Sequence, residues 1–150
     1  MSVGVGDPAP AFTLPGTGAR SYSLADYAGQ VVVVVFYPGD NSPVCTLQLR
    51  SYTHDIEQFN DLGAQVLAIS PQSVDSHEKF SASNGFAFPL LADEDKAAGE
   101  RYGVVGPLGF YRRSVFVVDR GGVLRYVHRG AAGLTYKGTD ELVSAVKAAQ

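Results

Sequence analysis

Tryptophan is absent from this 150-residue chain, and cysteine and methionine occur once each. A lone cysteine excludes an intramolecular disulfide, and with it the disulfide-scaffolded class of small secreted proteins. It equally excludes a structural zinc site built on cysteine pairs. Charge is scarce too: Asp, Glu, Lys and Arg make up 18% of the residues, with a balance of −3 at neutral pH. A general nucleic-acid binder would need a basic face that this balance does not supply. Long apolar runs are lacking. The longest, Val31 to Tyr37, falls far short of the ~20 residues a membrane-spanning helix needs. The opening MSVGVGDPAPAF has no basic stretch followed by an apolar one, so no secretory leader is expected and a cytoplasmic setting is the default. No glycine-rich phosphate loop follows a strand, and His54, His77 and His128 form no spaced pair of the kind metal sites show. Neither a cofactor nor a metal is expected, and the histidines read as surface or structural residues.

What is present belongs to a globular protein: 45% hydrophobic and 11% aromatic residues. The length suits a single domain over residues 1–150 that buries about two-thirds of its unfolded surface. Short apolar pieces at Ala11–Leu14 and Tyr22–Leu24 read as short strands or an extended arm. Val31 to Tyr37 is β-branched and uninterrupted, the pattern of a central strand buried on both faces. Ser42-Pro43 opens a helix, with Ser42 as N-cap and Pro43 at the first helical position. Leu47, Tyr52, Ile56 and Phe59 follow at helical spacing, and Leu62-Gly63 closes the segment. Val66–Ile69 is a second buried strand, Ser73–Asn84 a helix, Phe88–Leu91 a short extended piece and Asp93–Tyr102 another helix. Ser114–Val118 and Val123–His128 form a hairpin, and Asp140–Ala149 is a terminal helix. Alternation followed by an antiparallel hairpin implies an α/β fold with a mixed central sheet flanked by helices on both faces. A thioredoxin-like architecture fits this order.

Cys45 falls at the third helical position after Ser42. Backbone N–H groups in this turn lack intrahelical partners, and the helix dipole places positive potential here, so an anionic sulfur is favoured. A helix terminus supplies up to ~2 kcal/mol in partly buried sites, and a nearby cation is needed beyond that. A single cysteine is often buried and inert. The position of Cys45, beyond the carboxyl end of a central strand where open α/β sheets bind ligands, argues for chemistry instead.

The run Pro38-Gly39-Asp40-Asn41-Ser42-Pro43-Val44-Cys45-Thr46 resembles the active-site signature of the peroxiredoxins, closest to the peroxiredoxin Q or bacterioferritin comigratory protein branch. The resemblance covers nearly the whole chain. Gly6 through Leu14 is similar to the family's opening, Leu62-Gly63-Ala64 through Ser70 to its second core strand, and Phe88 through Asp93 and Tyr102-Gly103-Val104 to later segments. Arg113-Ser114-Val115-Phe116-Val117-Val118-Asp119 is similar to its arginine-bearing strand. The resemblance implies an antioxidant thiol peroxidase acting on hydrogen peroxide and organic hydroperoxides. Cys45 would attack the peroxide as thiolate and become a sulfenic acid. Ser42 would hydrogen-bond the peroxide, Pro38 would shield the sulfur from water, Arg113 would supply the cation, and Gln48 would orient that arginine. Each has a plainer reading: a helix cap for Ser42, a strand terminator for Pro38, a helix-surface residue for Gln48. The adjacent Arg112 rivals Arg113; in a strand the two point to opposite faces, and the register Arg-x-x-Phe-x-x-Asp favours Arg113, although spacing alone does not decide.

Two departures stand out. Where many peroxiredoxin Q proteins carry a resolving cysteine, five residues after the reactive one, this chain has Arg50, and Ser73–Asn84 has none. The resemblance thus implies a one-cysteine member whose sulfenic acid is reduced by an external thiol: thioredoxin, a glutaredoxin-like protein or a low-molecular-weight thiol. Val115 stands where the family usually has threonine. A monomer is expected, with a dimer as the alternative; no nucleic acid or membrane partner is expected. A non-enzymatic thiol sensor or interaction domain on the same fold is the competing reading. A cysteine hydrolase or thiol transferase is a weaker one, because no histidine partner is legible and no Cys-x-x-Cys motif is present.

Overall fold

The computed structural model describes residues 3–130 and 135–150. Its centre is the strand foreseen at the valine run, β3 (Val32–Phe36), with every residue buried. The other strands are β1 (Thr13–Gly16), β2 (Arg20–Ser23), β4 (Gln65–Ser70), β5 (Leu90–Ala92), β6 (Ser114–Val118) and β7 (Leu124–Arg129). They form one seven-stranded sheet in the order β2-β1-β5-β4-β3-β6-β7. The β3/β4 and β4/β5 pairs are parallel, while β6 runs antiparallel to β3 and β7 antiparallel to β6. The sheet is thus mixed, and the architecture is thioredoxin-like.

The uninterrupted valines follow from having a covered core on each face. Val33, Val35 and Tyr37 join one cluster with Cys45, Leu49, Tyr52, Phe59, Leu142 and Val146. Val32, Val34 and Phe36 join the other with Phe12, Tyr22, Tyr102, Tyr111, Phe116 and Leu124. Alternate side chains of a strand point to opposite faces, so neither parity has room for a polar residue.

The helices are α1 (Pro43–His54), α2 (Ile56–Asn60), α3 (Val74–Asn84), α4 (Ala97–Tyr102) and α5 (Thr139–Ala148). The single helix expected after Ser42 is interrupted at Asp55, whose φ of −101° and ψ of 17° leave the helical region. Leu47, read from spacing as a core residue, is 62% exposed. The buried face of α1 is Cys45, Gln48, Leu49 and Tyr52, a set spaced at three, four and seven residues that leaves Leu47 off the stripe. The helix expected from Asp93 starts at Ala97. Asp93 lies ahead of it and caps it, its carboxylate accepting from the N–H groups of Ala98 and Gly99 at 3.1 and 2.9 Å.

Gly99 is fixed by a close approach. A Cβ there would stand 2.6 Å from the Tyr111 ring, and the Tyr111 hydroxyl is committed to Asp93. Gly99→Ala is therefore expected to destabilise the protein by about 1–3 kcal/mol through overpacking, read as a lower urea midpoint at unchanged m-value.

Candidate active site

The sheet register brings distant residues to one end of the molecule. Phe36, the last residue of β3, pairs with Ser114, the first of β6. The chain leaving β3 and the chain entering β6 therefore meet at the carboxyl end of the parallel strands, where α/β sheets assemble their sites. Leaving β3, residues 37–42 lead into α1 and Cys45; entering β6, Arg113 precedes Ser114.

Cys45 and Arg113 touch. Arg113 Nη2 donates to Cys45 Sγ at 3.1 Å, and both residues are buried, at 0% and 2% exposure. Arg113 Nη1 donates to Gln48 Oε1 at 2.6 Å. Gln48 Nε2 in turn donates to the Tyr52 hydroxyl at 3.1 Å, and that hydroxyl donates to the Lys137 carbonyl at 2.6 Å. The result is a continuous buried chain from sulfur to guanidinium to amide to phenol to backbone. Burial pushes the Tyr52 phenol well above its ordinary value and outweighs the lowering effect of the Gln48 hydrogen bond, so it remains a donor. A guanidinium offers several N–H groups in a fixed fork, and that geometry lets one side chain serve sulfur and amide together.

The other residues singled out in the sequence fall around this chain. Ser42 occupies the N-cap of α1, half-buried, yet its hydroxyl makes no capping hydrogen bond. Its carbonyl accepts from Thr46 N and Thr46 Oγ1 at 2.9 and 2.8 Å. Thr46 is thus the first residue whose N–H joins the helical ladder, and the amides of Val44 and Cys45 precede it. Pro38 is half-buried in the loop between β3 and α1. Arg112 turns away from the sulfur, its Nε donating to the Gly130 carbonyl at 3.0 Å. Val115 lies in the core cluster that includes Cys45. Arg50 is exposed on α1.

A second buried cluster adjoins the first, built from residues that sequence spacing did not single out for chemistry. Tyr37 donates to Asp40 Oδ1 and Ser76 Oγ to Asp40 Oδ2, both at 2.7 Å. His77 Nδ1 lies 2.7 Å from Asp40 Oδ2, and His77 Nε2 lies 3.0 Å from the Leu91 carbonyl. Burial raises the Tyr37 phenol far above its usual range, and the charge and hydrogen bond of Asp40 add to it. Burial alone would raise the Asp40 carboxyl, but the hydrogen bonds from His77, Ser76 and Tyr37 outweigh it and hold the group below its ordinary value. Of the histidines, His54 is exposed at the end of α1, His128 is half-buried on β7, and His77 is wholly buried.

Comparison with known proteins converges on one family. The AhpC/TSA family matches residues 5–127. A Mycobacterium tuberculosis relative assigned to the peroxiredoxins is 39% identical over 124 residues, spanning 78% of this chain and 79% of its own. Peroxiredoxin Bcp of Xanthomonas campestris is 36% identical over 115 residues, or 75% of this chain and 72% of its own. The crystallographic study of alkyl peroxide reduction by the X. campestris bacterioferritin comigratory protein provides a structure that superposes with a TM-score of 0.83. It is 31% identical and covers 91% of this chain and 90% of that one.

Proposed function

The chain belongs to the AhpC/TSA family and is a thiol-dependent peroxidase of the peroxiredoxin Q branch; from that premise we propose how its residues divide the work. The observation that carries the proposal is the buried contact between Cys45 Sγ and Arg113 Nη2 at 3.1 Å. The Cys45 thiolate attacks one peroxide oxygen. The S–O bond forms as the O–O bond breaks, the electron pair leaves with the second oxygen, and that oxygen takes up a proton to become water or an alcohol. Cys45 is left as a sulfenic acid. Negative charge moves from sulfur to the leaving oxygen during this step, so fixed donors aimed at both atoms give the largest rate gain. Arg113 supplies the cation. The Ser42 hydroxyl, which makes no capping bond to α1, and the amides of Val44 and Cys45 supply hydrogen bonds, Pro38 limits water at the sulfur, and Gln48 holds the guanidinium in place.

Peroxiredoxins draw on thiol reductants of the thioredoxin type. With one cysteine in the chain, the sulfenic acid is reduced from outside. A thiol attacks the sulfur, water leaves, and a second thiol releases Cys45 from the mixed disulfide. Thioredoxin, a glutaredoxin-like protein and a low-molecular-weight thiol all satisfy this chemistry. The substrates are hydrogen peroxide and organic hydroperoxides, in line with the alkyl peroxide activity of the X. campestris relative. The chain acts as one thioredoxin-like domain, a cytoplasmic antioxidant enzyme working as a monomer. Among the described residues no helix is long and apolar enough to cross a membrane.

The test is peroxide consumption per protein. Without thiol it is expected to stop at one equivalent; with dithiothreitol or a thioredoxin–thioredoxin reductase couple it continues through many. Consumption that stops at one equivalent with every thiol would replace the enzyme by a single-use sensor. Gln48→Ala is expected to slow Cys45 oxidation about tenfold through misplacement of Arg113. Gln48→Glu, which keeps an acceptor for the guanidinium, should restore most of the rate; stopped-flow oxidation kinetics check both.

A further inference from the structure

The sulfur of Cys45 is completely buried, which poses different problems for the two halves of the cycle. A peroxide is small. A thiol reductant is larger and must bring its sulfur in line with the S–O bond it displaces, so the start of α1 has to yield before reduction can occur.

Little holds that segment. Among the described residues, every hydrogen bond from loop 38–42 to elements other than α1 passes through Asp40. Its N–H donates to Gln72 Oε1 at 3.1 Å, and its carboxylate gathers Tyr37, Ser76 and His77. The next residue, Asn41, sits at a φ of 65°, a left-handed turn conformation that asparagine accommodates. Asp40 thus ties the loop to α3, and His77 Nε2 ties α3 to the Leu91 carbonyl of β5.

Proton counting defines the pair. A carbonyl only accepts, so His77 Nε2 carries a hydrogen. The 2.7 Å contact between His77 Nδ1 and Asp40 Oδ2 needs one proton between them. Asp40 also accepts from Tyr37 and Ser76, so its carboxylate is the hub of the cluster. The pair is a buried imidazole–carboxylate contact with both side chains at 0% exposure. Buried pairs of this kind are weak contributors to net stability and are better suited to selecting one geometry.

Resting on the peroxidase reading above, we propose that Asp40 and His77 form a latch that holds the 38–42 loop closed over Cys45. They act as positioning residues that promote attack on peroxide and restrain attack by a bulky thiol on the oxidised sulfur. Loosening the latch moves the two half-reactions in opposite directions. Oxidation slows because Ser42 and the first amides of α1 no longer hold one arrangement. Reduction accelerates in proportion to the open fraction.

The experiment uses the full chain, with hydrogen peroxide as oxidant and 2-nitro-5-thiobenzoate as thiol probe. The probe's sulfur displaces the sulfenic oxygen as water and forms a mixed disulfide, seen as loss of its colour. For His77→Gln, oxidation is expected to slow about fivefold through loss of alignment, while probe capture accelerates about tenfold through the larger open fraction. Ser76→Ala, which removes one donor to Asp40 and leaves the packing intact, should show smaller changes of the same signs. Leu124→Ala, in the core cluster on the opposite face of the sheet, controls for general destabilisation and should leave probe capture unchanged. Should His77→Gln fail to fold, the Ser76→Ala rates decide the matter. Capture that is unchanged or slower, or that rises equally in Leu124→Ala, overturns the latch. A parent protein that forms no sulfenic acid with peroxide overturns the peroxidase reading, and the latch with it; that outcome is recognisable before any variant is compared.

Discussion

Replacing Arg113 by alanine is expected to lower the second-order rate of Cys45 oxidation by hydrogen peroxide about 10²–10³-fold, the usual cost of deleting one preorganised donor from a site of developing charge. The magnitude follows from burial. Arg113 is 2% exposed and Cys45 not at all, so water cannot replace the lost guanidinium at the sulfur as it would on a surface. Two consequences separate this loss from a general loss of fold. Arg113→Lys should fall between parent and alanine, because an ammonium supplies the charge but lacks the planar fork that reaches both Cys45 and Gln48. The rate deficit should also remain at pH values where the sulfur of both proteins is fully ionised, because Arg113 is assigned to the departing oxygen as well as to the thiolate. Stopped-flow oxidation across a pH series reads both effects.

Cys45→Ser is expected to abolish turnover altogether, with peroxide consumption at the protein-free background under every thiol. Serine keeps the size and the hydrogen-bonding capacity of the site. Its hydroxyl is not appreciably ionised in this environment and forms no counterpart of the sulfenic acid. The chain has no other cysteine, so neither a second nucleophile nor a resolving thiol can sustain slow activity. Urea unfolding of the variant should stay close to the parent, since the substitution changes one atom in a core that keeps its packing. Peroxide consumption and the unfolding midpoint together make the measurement. Residual consumption above background would place chemistry elsewhere in the chain.

The reach of sequence reasoning follows the range of the interactions involved. The central strand was legible because a two-sided core imposes apolar residues at both parities, and Val31 to Tyr37 meets that demand locally. The start of α1 was legible from Ser42 and Pro43, although the Ser42 hydroxyl does not make the capping bond its position suggested. The break at Asp55 and the exposure of Leu47 were not, because both depend on which stripe of α1 faces the sheet. The choice between Arg112 and Arg113 lay beyond spacing alone. In space Arg113 touches the sulfur and Arg112 turns to the Gly130 carbonyl, an arrangement that follows the pairing of Phe36 with Ser114 across segments far apart in the chain. Gln48 and Tyr52 could have been linked to Cys45 from their places three and seven residues along one helix face. The Asp40–His77 pair could not, since the residues are 37 apart and meet only once α3 packs beside the carboxyl ends of β3 and β5.

We propose that the one buried sulfur, aligned by Arg113, performs the peroxide chemistry. The most direct test mixes the reduced protein with one equivalent of hydrogen peroxide, traps with a sulfenic-acid reagent and follows intact mass over seconds, beside Cys45→Ser and Arg113→Ala. The predicted result is rapid single labelling of the parent, none in Cys45→Ser, and labelling slowed by the same factor as oxidation in Arg113→Ala. Labelling of the parent no faster than that of a free thiol, or equal rates in the parent and Arg113→Ala, would contradict the account.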